Sequence, residues 1–294
     1  MSNEAQKFSD SLAAAVENAA KSLVSVDARQ HVSASGIVWT GDGEILTADH
    51  VIQRDDNIGV TVADGKTYGA KVVGRDPGSD LALLQTEGSA GLTVPDFAEV
   101  KVGHLVLAVG RPDDVQASLG NVVAVGGPVH RRRRHLDAYI QSDVTMYPGF
   151  SGGPLVDASG RVVGLNSSAL AHGASLAVPI GAARAIADAL RRDGRVKRGF
   201  LGVGTQPVAL AESVAAKLNQ RTGLMLIGVE KDGPAGKGGL LQGDVLVALG
   251  AHAITDIEDL QAALGPESVG KPAAVKVVRG GEVKEVNVTV GVRE

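Results

Sequence analysis

Ser151 lies in the run Pro148-Gly-Phe-Ser-Gly-Gly-Pro-Leu155, with glycine at 149, 152 and 153. Glycines on both sides of a serine remove Cβ atoms, so an acyl group and its oxygen can approach peptide N–H groups closely, as an oxyanion hole requires. A serine hydroxyl is a weak nucleophile by itself, so this reading demands a histidine as general base and a carboxylate to orient it. His50 sits at the end of the strand-like Glu44–Ile52 segment, and Asp80 stands immediately before the apolar run Leu81–Leu84. Each residue alone has an ordinary explanation: a glycine-serine cluster is also a surface turn, a lone histidine a structural residue, an aspartate a strand or turn cap.

The elements that must position these side chains read as short strands. Apolar runs at 36–40, 44–48, 58–62, 70–73, 81–84, 105–109, 121–125 and 138–141 are separated by turn residues, including Gly41-Asp42-Gly43. This is the grammar of an antiparallel barrel or sandwich, with no α/β alternation. After Ser151, Pro154–Asp157 and Arg161–Asn166 read as a strand pair closed by Ser159-Gly160. That argues against a nucleophile elbow of the Gly-x-Ser-x-Gly type, which needs a helix after its serine. Phe8, Leu12, Val16 and Leu23 fall near one side of a helix predicted from about Glu4 to Ser22, either packed on its own domain or forming a subunit contact. Residues 181–192 have helical composition and end in Arg191-Arg192-Asp193-Gly194, cations in the last turn followed by a glycine stop.

A histidine after one strand, an aspartate before another and a later Gly-x-Ser-Gly-Gly follow the chain order His, Asp, Ser of chymotrypsin-like proteases. Thr47-Ala-Asp-His50-Val, Asp76-Pro-Gly-Ser-Asp80-Leu-Ala-Leu-Leu and Pro148-Gly-Phe-Ser151-Gly-Gly-Pro-Leu resemble the three active-site blocks of HtrA (Deg) family serine proteases. Val163-Gly-Leu-Asn166 and Ser175-Leu-Ala-Val-Pro179 resemble that family's substrate-pocket strands. The resemblance implies Ser151 as nucleophile, His50 as general base and acid, and Asp80 as the residue fixing the imidazole tautomer. It further implies an oxyanion hole from Gly149, Ser151 and Phe150, and a specificity pocket lined by Met146, Leu165 and Asn166. Phe150 departs from the family, which usually has asparagine there, and this bears on how the loop is held closed. With no acidic residue at the pocket base, cleavage after small or medium aliphatic residues is expected.

Downstream of the basic linker Arg195–Gly199, the chain resembles a bacterial PDZ domain. Phe200, Leu201, Gly202 and Val203 would form the loop and strand that bind a peptide carboxylate, and Asp256–Leu264 the groove helix, with Leu260 and Leu264 either in the core or lining the groove. Val275–Val278 and Val283–Val290 would make a hairpin around Gly280-Gly281. The expected organisation is a helical segment at 1–25, a chymotrypsin-like double β-barrel protease domain at 26–194 and a PDZ domain at 198–292.

Composition limits the alternatives. A net charge of −4, 44 % apolar residues and 3 % aromatics describe a globular protein with a valine- and leucine-rich core, and nucleic acid is not an expected partner. The absence of cysteine excludes disulfides, thiolate metal sites and cysteine catalysis. No cofactor or metal is expected; the run His130-Arg-Arg-Arg-Arg-His135 reads as a solvated hairpin tip, with an anionic partner site or a regulatory loop as alternatives. No stretch is long and apolar enough for a transmembrane helix, and no basic head with an apolar run opens the chain. That places the protein in the cytoplasm if Met1 is native, or in the periplasm or cell envelope if a targeting segment has been removed. The function the resemblance implies is an ATP-independent endopeptidase of protein quality control and stress response. It would act as a homotrimer or a multiple of it on unfolded polypeptides, with hydrophobic peptide C-termini bound by the PDZ domain. The alternative is a chaperone or peptide-binding scaffold with minor hydrolysis.

Overall fold

Valine, leucine and isoleucine dominate the strands, and glycine-rich turns let them close on themselves. The computed structural model describes residues 3–292 apart from 31, 90, 128, 132, 133, 137, 171 and 172. The chain divides into two compact units, Met1–Val196 and Lys197–Glu294.

In the first unit, helix α1 (Glu4–Ala20) precedes β1 (Leu23–Asp27), β2 (Ala34–Val38), β3 (Glu44–Ala48), β4 (Ile58–Thr61), β5 (Thr67–Asp76) and β6 (Leu81–Thr86). These strands form a closed antiparallel barrel in the order β1-β2-β3-β6-β5-β4. There follow β7 (Leu105–Gly110), β8 (Gln116–Gly126), β9 (Val129–Arg131), β10 (Arg134–Leu136), β11 (Tyr139–Ser142), β12 (Pro154–Asp157), β13 (Val162–Ser167), β14 (Ser175–Pro179) and helix α2 (Ile180–Asp193). A second closed barrel has the order β11-β14-β13-β12-β7-β8. The helix expected to reach Ser22 stops at Ala20, because the β-branched Val24 and Val26 enter the first barrel on β1.

Each barrel has its own apolar interior, around Val26, Ile45 and Leu84 in the first and Val106, Phe150 and Leu155 in the second. A third cluster joins the outer faces of both barrels to the two helices, through Ala15 and Ala19 of α1, Leu46, Leu83, Leu165, and Ala187 and Leu190 of α2. Strands β2, β3 and β13 are therefore buried on both faces and carry no polar alternation. Helix α2 ends at Gly194 in the left-handed region, φ 70°, with Arg191 and Arg192 in its last turn. Strands β9 and β10 pair through His130 with His135 and Arg131 with Arg134; the Arg132-Arg133 tip lies outside the described residues.

The second unit contains β15 (Gly199–Phe200), β16 (Val203–Ala209), α3 (Glu212–Leu218), β17 (Thr222–Val229), α4 (Pro234–Lys237), β18 (Val245–Leu249) and β19 (His252–Ala253). Then come α5 (Ile257–Ala263), β20 (Pro272–Arg279), β21 (Glu282–Thr289) and β22 (Gly291–Val292). Its main sheet runs β16-β17-β18-β20-β21, which puts β16 at an edge. The β20–β21 hairpin turns through Gly280 and Gly281, both at positive φ. Asp256 caps α5, its Oδ1 accepting the N–H groups of Glu258 and Asp259, both at 2.9 Å. Leu260 is buried in the core with Leu224, Leu246 and Val277, and Leu264 packs against it. Arg279 grips the Asp244 carboxylate through Nε at 2.6 Å and Nη2 at 2.7 Å, fixing the Gly239–Asp244 turn to β20.

Candidate active site

His50 sits on a single 3-10 turn, Asp49–Val51, directly after β3. Arg75 of β5 clamps that turn: Nε donates to Asp49 Oδ1 at 2.7 Å, and Nη2 donates to the Asp49 and Ile52 carbonyls at 3.2 and 2.9 Å. Asp80 precedes β6 at φ 59°, a left-handed conformation that a short polar side chain tolerates by bonding locally. Its carboxylate accepts the His50 main-chain N–H at 3.0 Å and His50 Nδ1 at 2.8 Å, and also the Ser167 hydroxyl. Asp80 has no solvent exposure. Burial alone would push its carboxyl up; the bonds from His50 and Ser167 outweigh that and hold it below the ordinary aspartate value. With Nδ1 bonded to Asp80, Nε2 is the ring nitrogen left to accept a proton.

Ser151 follows Gly149, at φ 90°, and precedes Gly152, at φ 87°. The glycines after the serine serve packing more than ligand access. A Cβ on Gly152 would lie 2.1 Å from the Ser35 carbonyl oxygen, and one on Gly153 2.3 Å from that of Val109. Ser35 also holds the loop: its Oγ donates to the Gly149 carbonyl at 2.7 Å, and its N–H to the Ser151 carbonyl at 3.2 Å. Among the described residues, the N–H groups of Gly149 and Ser151 have no acceptor, as an oxyanion hole needs. The Phe150 N–H, expected as a third donor, is instead committed to the Tyr147 carbonyl at 3.1 Å. The Phe150 side chain is fully buried among Val106, Ala108 and Leu155, with its ring edge-on to Tyr147 at 5.5 Å. An apolar plug thus anchors the loop where the resembling family has an asparagine.

The Ser151 hydroxyl is bonded to Ser168, at 2.9 Å to Oγ and 3.2 Å to the main-chain N–H. Among the described residues, no hydrogen bond joins Ser151 to His50. Ser151 opens on a cleft of about 450 Å³ lined also by Arg29, Gln53, Met146, Tyr147 and Ser168. Of the residues expected to line the specificity pocket, Met146 lies along this cleft, the Leu165 side chain is fully buried in the cluster between the barrels, and the buried Asn166 amide donates to the Pro154 carbonyl at 2.8 Å. Ser35, Ser167 and Ser168 escaped the sequence reading, since single serines at strand ends have no spacing signal.

In the second unit, Phe200 pairs with Gly291, Leu201 is buried, Gly202 adopts φ 74°, and Val203 begins the edge strand β16. The N–H groups of Leu201 and Gly202 have no acceptor among the described residues, while their carbonyls accept from Ala235 and Glu230, both at 2.8 Å. An unpaired edge with free N–H groups at its start is what peptide addition to a sheet requires.

Residues 34–165 match the trypsin-like peptidase domain and residues 199–290 the PDZ domain. The chain is 40 % identical over 271 residues to a probable periplasmic DegP-like serine endoprotease of Ectopseudomonas mendocina, covering 87 % of this chain and 56 % of that protein. It is 35 % identical over 272 residues to a similarly named protein of Chlamydia trachomatis, covering 89 % of this chain and 54 % of that one. The chain thus spans about half the length of these curated relatives. Among solved structures, the HtrA-type protease AlgW with a decapeptide superposes with a TM-score of 0.80 at 27 % identity, over 96 % of this chain and 99 % of that one. The serine endoprotease of Yersinia pestis gives 0.79 at 27 % identity, over 96 % and 98 %. A nucleophile elbow is excluded by the fold, since Ser151 leads into strand β12 and not into a helix. The chain thus carries a match to the trypsin-like peptidase domain followed by one to the PDZ domain, and it is similar to DegP-like serine endoproteases in sequence and to HtrA-type proteases in structure.

Proposed function

We propose that the protein is a serine endopeptidase in which Ser151, His50 and Asp80 carry the chemistry. The observation that bears most weight is the buried Asp80 carboxylate bonding both the main-chain N–H and Nδ1 of His50, which presents Nε2 as the base. Turned from Ser168 toward His50, the Ser151 hydroxyl gives its proton to Nε2 as Oγ attacks a peptide carbonyl. The oxyanion is received by the Gly149 and Ser151 N–H groups, and the imidazolium returns the proton to the leaving amine as the acyl-enzyme forms. Water then repeats the sequence. Met146 in the cleft and the lack of an acidic lining side chain among the described residues favour cleavage after aliphatic residues.

Unfolded or damaged polypeptides are the substrates this reading favours, with a role in protein quality control and the stress response, in a trimer or a multiple of one. The open edge of β16 would take a hydrophobic peptide C-terminus. The relatives' names support the periplasmic alternative over the cytoplasmic one. No helix among the described residues is long and apolar enough to cross a membrane. Wild-type protein is expected to degrade casein and Ser151→Ala to leave it intact, a loss of about 10⁶ in kcat; undiminished cleavage by the variant refutes the assignment.

A further inference from the structure

Building on the peptidase reading, we infer that Arg29 makes the first-barrel rim of the cleft a subsite for an acidic side chain on the leaving-group side of the scissile bond. Among the described residues lining the cleft, Arg29 is the charged one. Its partners are neutral carbonyls: Nε donates to Val32 O at 2.6 Å and Nη2 to Ser33 O at 3.4 Å. Among the described residues, Nη1 has no acceptor and no carboxylate pairs with the guanidinium. Elsewhere in the same unit, Arg54, Arg75, Arg161 and Arg191 each meet a carboxylate at 2.6 to 3.0 Å. Partial burial pulls the Arg29 guanidinium below arginine's ordinary pKa, with no partner to offset it, and it remains a cation at neutral pH.

The rim is held in place. Arg54 Nη1 donates to the Arg29 carbonyl at 3.3 Å, and the Gln53 N–H to the Ala28 carbonyl at 2.9 Å, which ties this loop to the segment after His50. Arg29, Gln30, Val32 and Gln53 therefore come from the His50 side of the cleft, and Met146 to Gly149 from the side of the oxyanion donors. A substrate carbonyl must lie with those donors while its amine takes a proton from His50. The chain beyond the scissile bond then leaves past the first barrel and Arg29. A carboxylate there gains a fork-shaped, charge-assisted partner whose hydration is already reduced.

The test uses quenched peptides identical except for Glu, Gln or Lys at each of the first three positions after the cleaved bond. Wild-type protein is expected to show kcat/KM about three- to tenfold higher for Glu than for Gln at one of them, lower still for Lys, with the ratio shrinking as salt rises. In Arg29→Gln the Glu-to-Gln ratio falls to unity, and in Arg29→Lys it stays above unity. A ratio taken within one enzyme is blind to a general loss of folding or chemistry. Equal wild-type rates for all three residues at every position, or a preference that survives in Arg29→Gln, overturn the subsite and leave peptide hydrolysis standing. Cleavage of none of the peptides, with Ser151 unreactive toward a fluorophosphonate, overturns both.

Discussion

Asp80 does two jobs at once: it fixes the His50 ring and ties strand β6 to the turn after β3. Its carboxyl lies below the ordinary aspartate value when folded, so its bonds contribute stability that is present above the unfolded pKa and lost as pH falls through the folded one. Urea unfolding of wild type and Asp80→Asn should therefore differ most at neutral pH and converge in acid; a gap that widens on acidification contradicts this. Ser168 is a second test, as a positioning residue that holds the nucleophile's hydroxyl away from the base. Ser168→Ala should raise the fluorophosphonate labelling rate of the resting enzyme a few-fold, whereas a rate unchanged across pH shows that the contact holds nothing back. His50, Asp80 and Ser151 could be proposed from sequence because each stands in a punctuated block and the three blocks follow in the order His, Asp, Ser. Leu165 and Asn166 came from the family resemblance alone, since β13 is buried on both faces and offers no alternation from which to choose a cleft side.

Elements were legible where glycine, proline or charge interrupts an apolar run, which covers the β2–β3 hairpin, the end of α2 and the β20–β21 hairpin. Strand β1 was hidden at the end of an alanine-rich helical pattern, and α3 was missed altogether, since its Ala211 N-cap makes no side-chain capping bond. The loop carrying Ser151 has an apolar anchor beside its hydrogen bonds to Ser35: Phe150 fills the second barrel and presses on Gly110, where a Cβ would come within 2.5 Å of its ring. Phe150→Ala should cost about 3–5 kcal/mol of stability, read by urea unfolding. It should also lower kcat more than it raises KM, because the N–H groups of Gly149 and Ser151 lose their fixed direction. Intact kcat in a destabilised variant contradicts the idea that the plug shapes the hole.

The whole molecule pairs a candidate hydrolytic centre in the first unit with an open sheet edge in the second. The proposed capture at the start of β16 would bring a free carboxylate to the Leu201 and Gly202 N–H groups. A hydrophobic peptide with a free C-terminus should bind at least tenfold more tightly than its C-terminal amide, by calorimetry; equal affinities place the peptide elsewhere. The family resemblance was visible because chemistry-bearing blocks stand in order along the chain. The resting direction of the Ser151 hydroxyl was not, since it depends on a Ser168 contact formed only once the barrels close.

The proposed chemistry needs one convergence: the imidazole held by Asp80 must take the proton of the Ser151 hydroxyl. Its most direct measurement is the rate at which a fluorophosphonate attaches to Ser151, mapped by mass spectrometry of the full chain with His50→Ala and Asp80→Asn alongside. Modification is expected at Ser151 in wild type, with virtually none in His50→Ala and a rate in Asp80→Asn lower by about 10⁴. Labelling at another residue, or equal labelling of all three proteins, would contradict it.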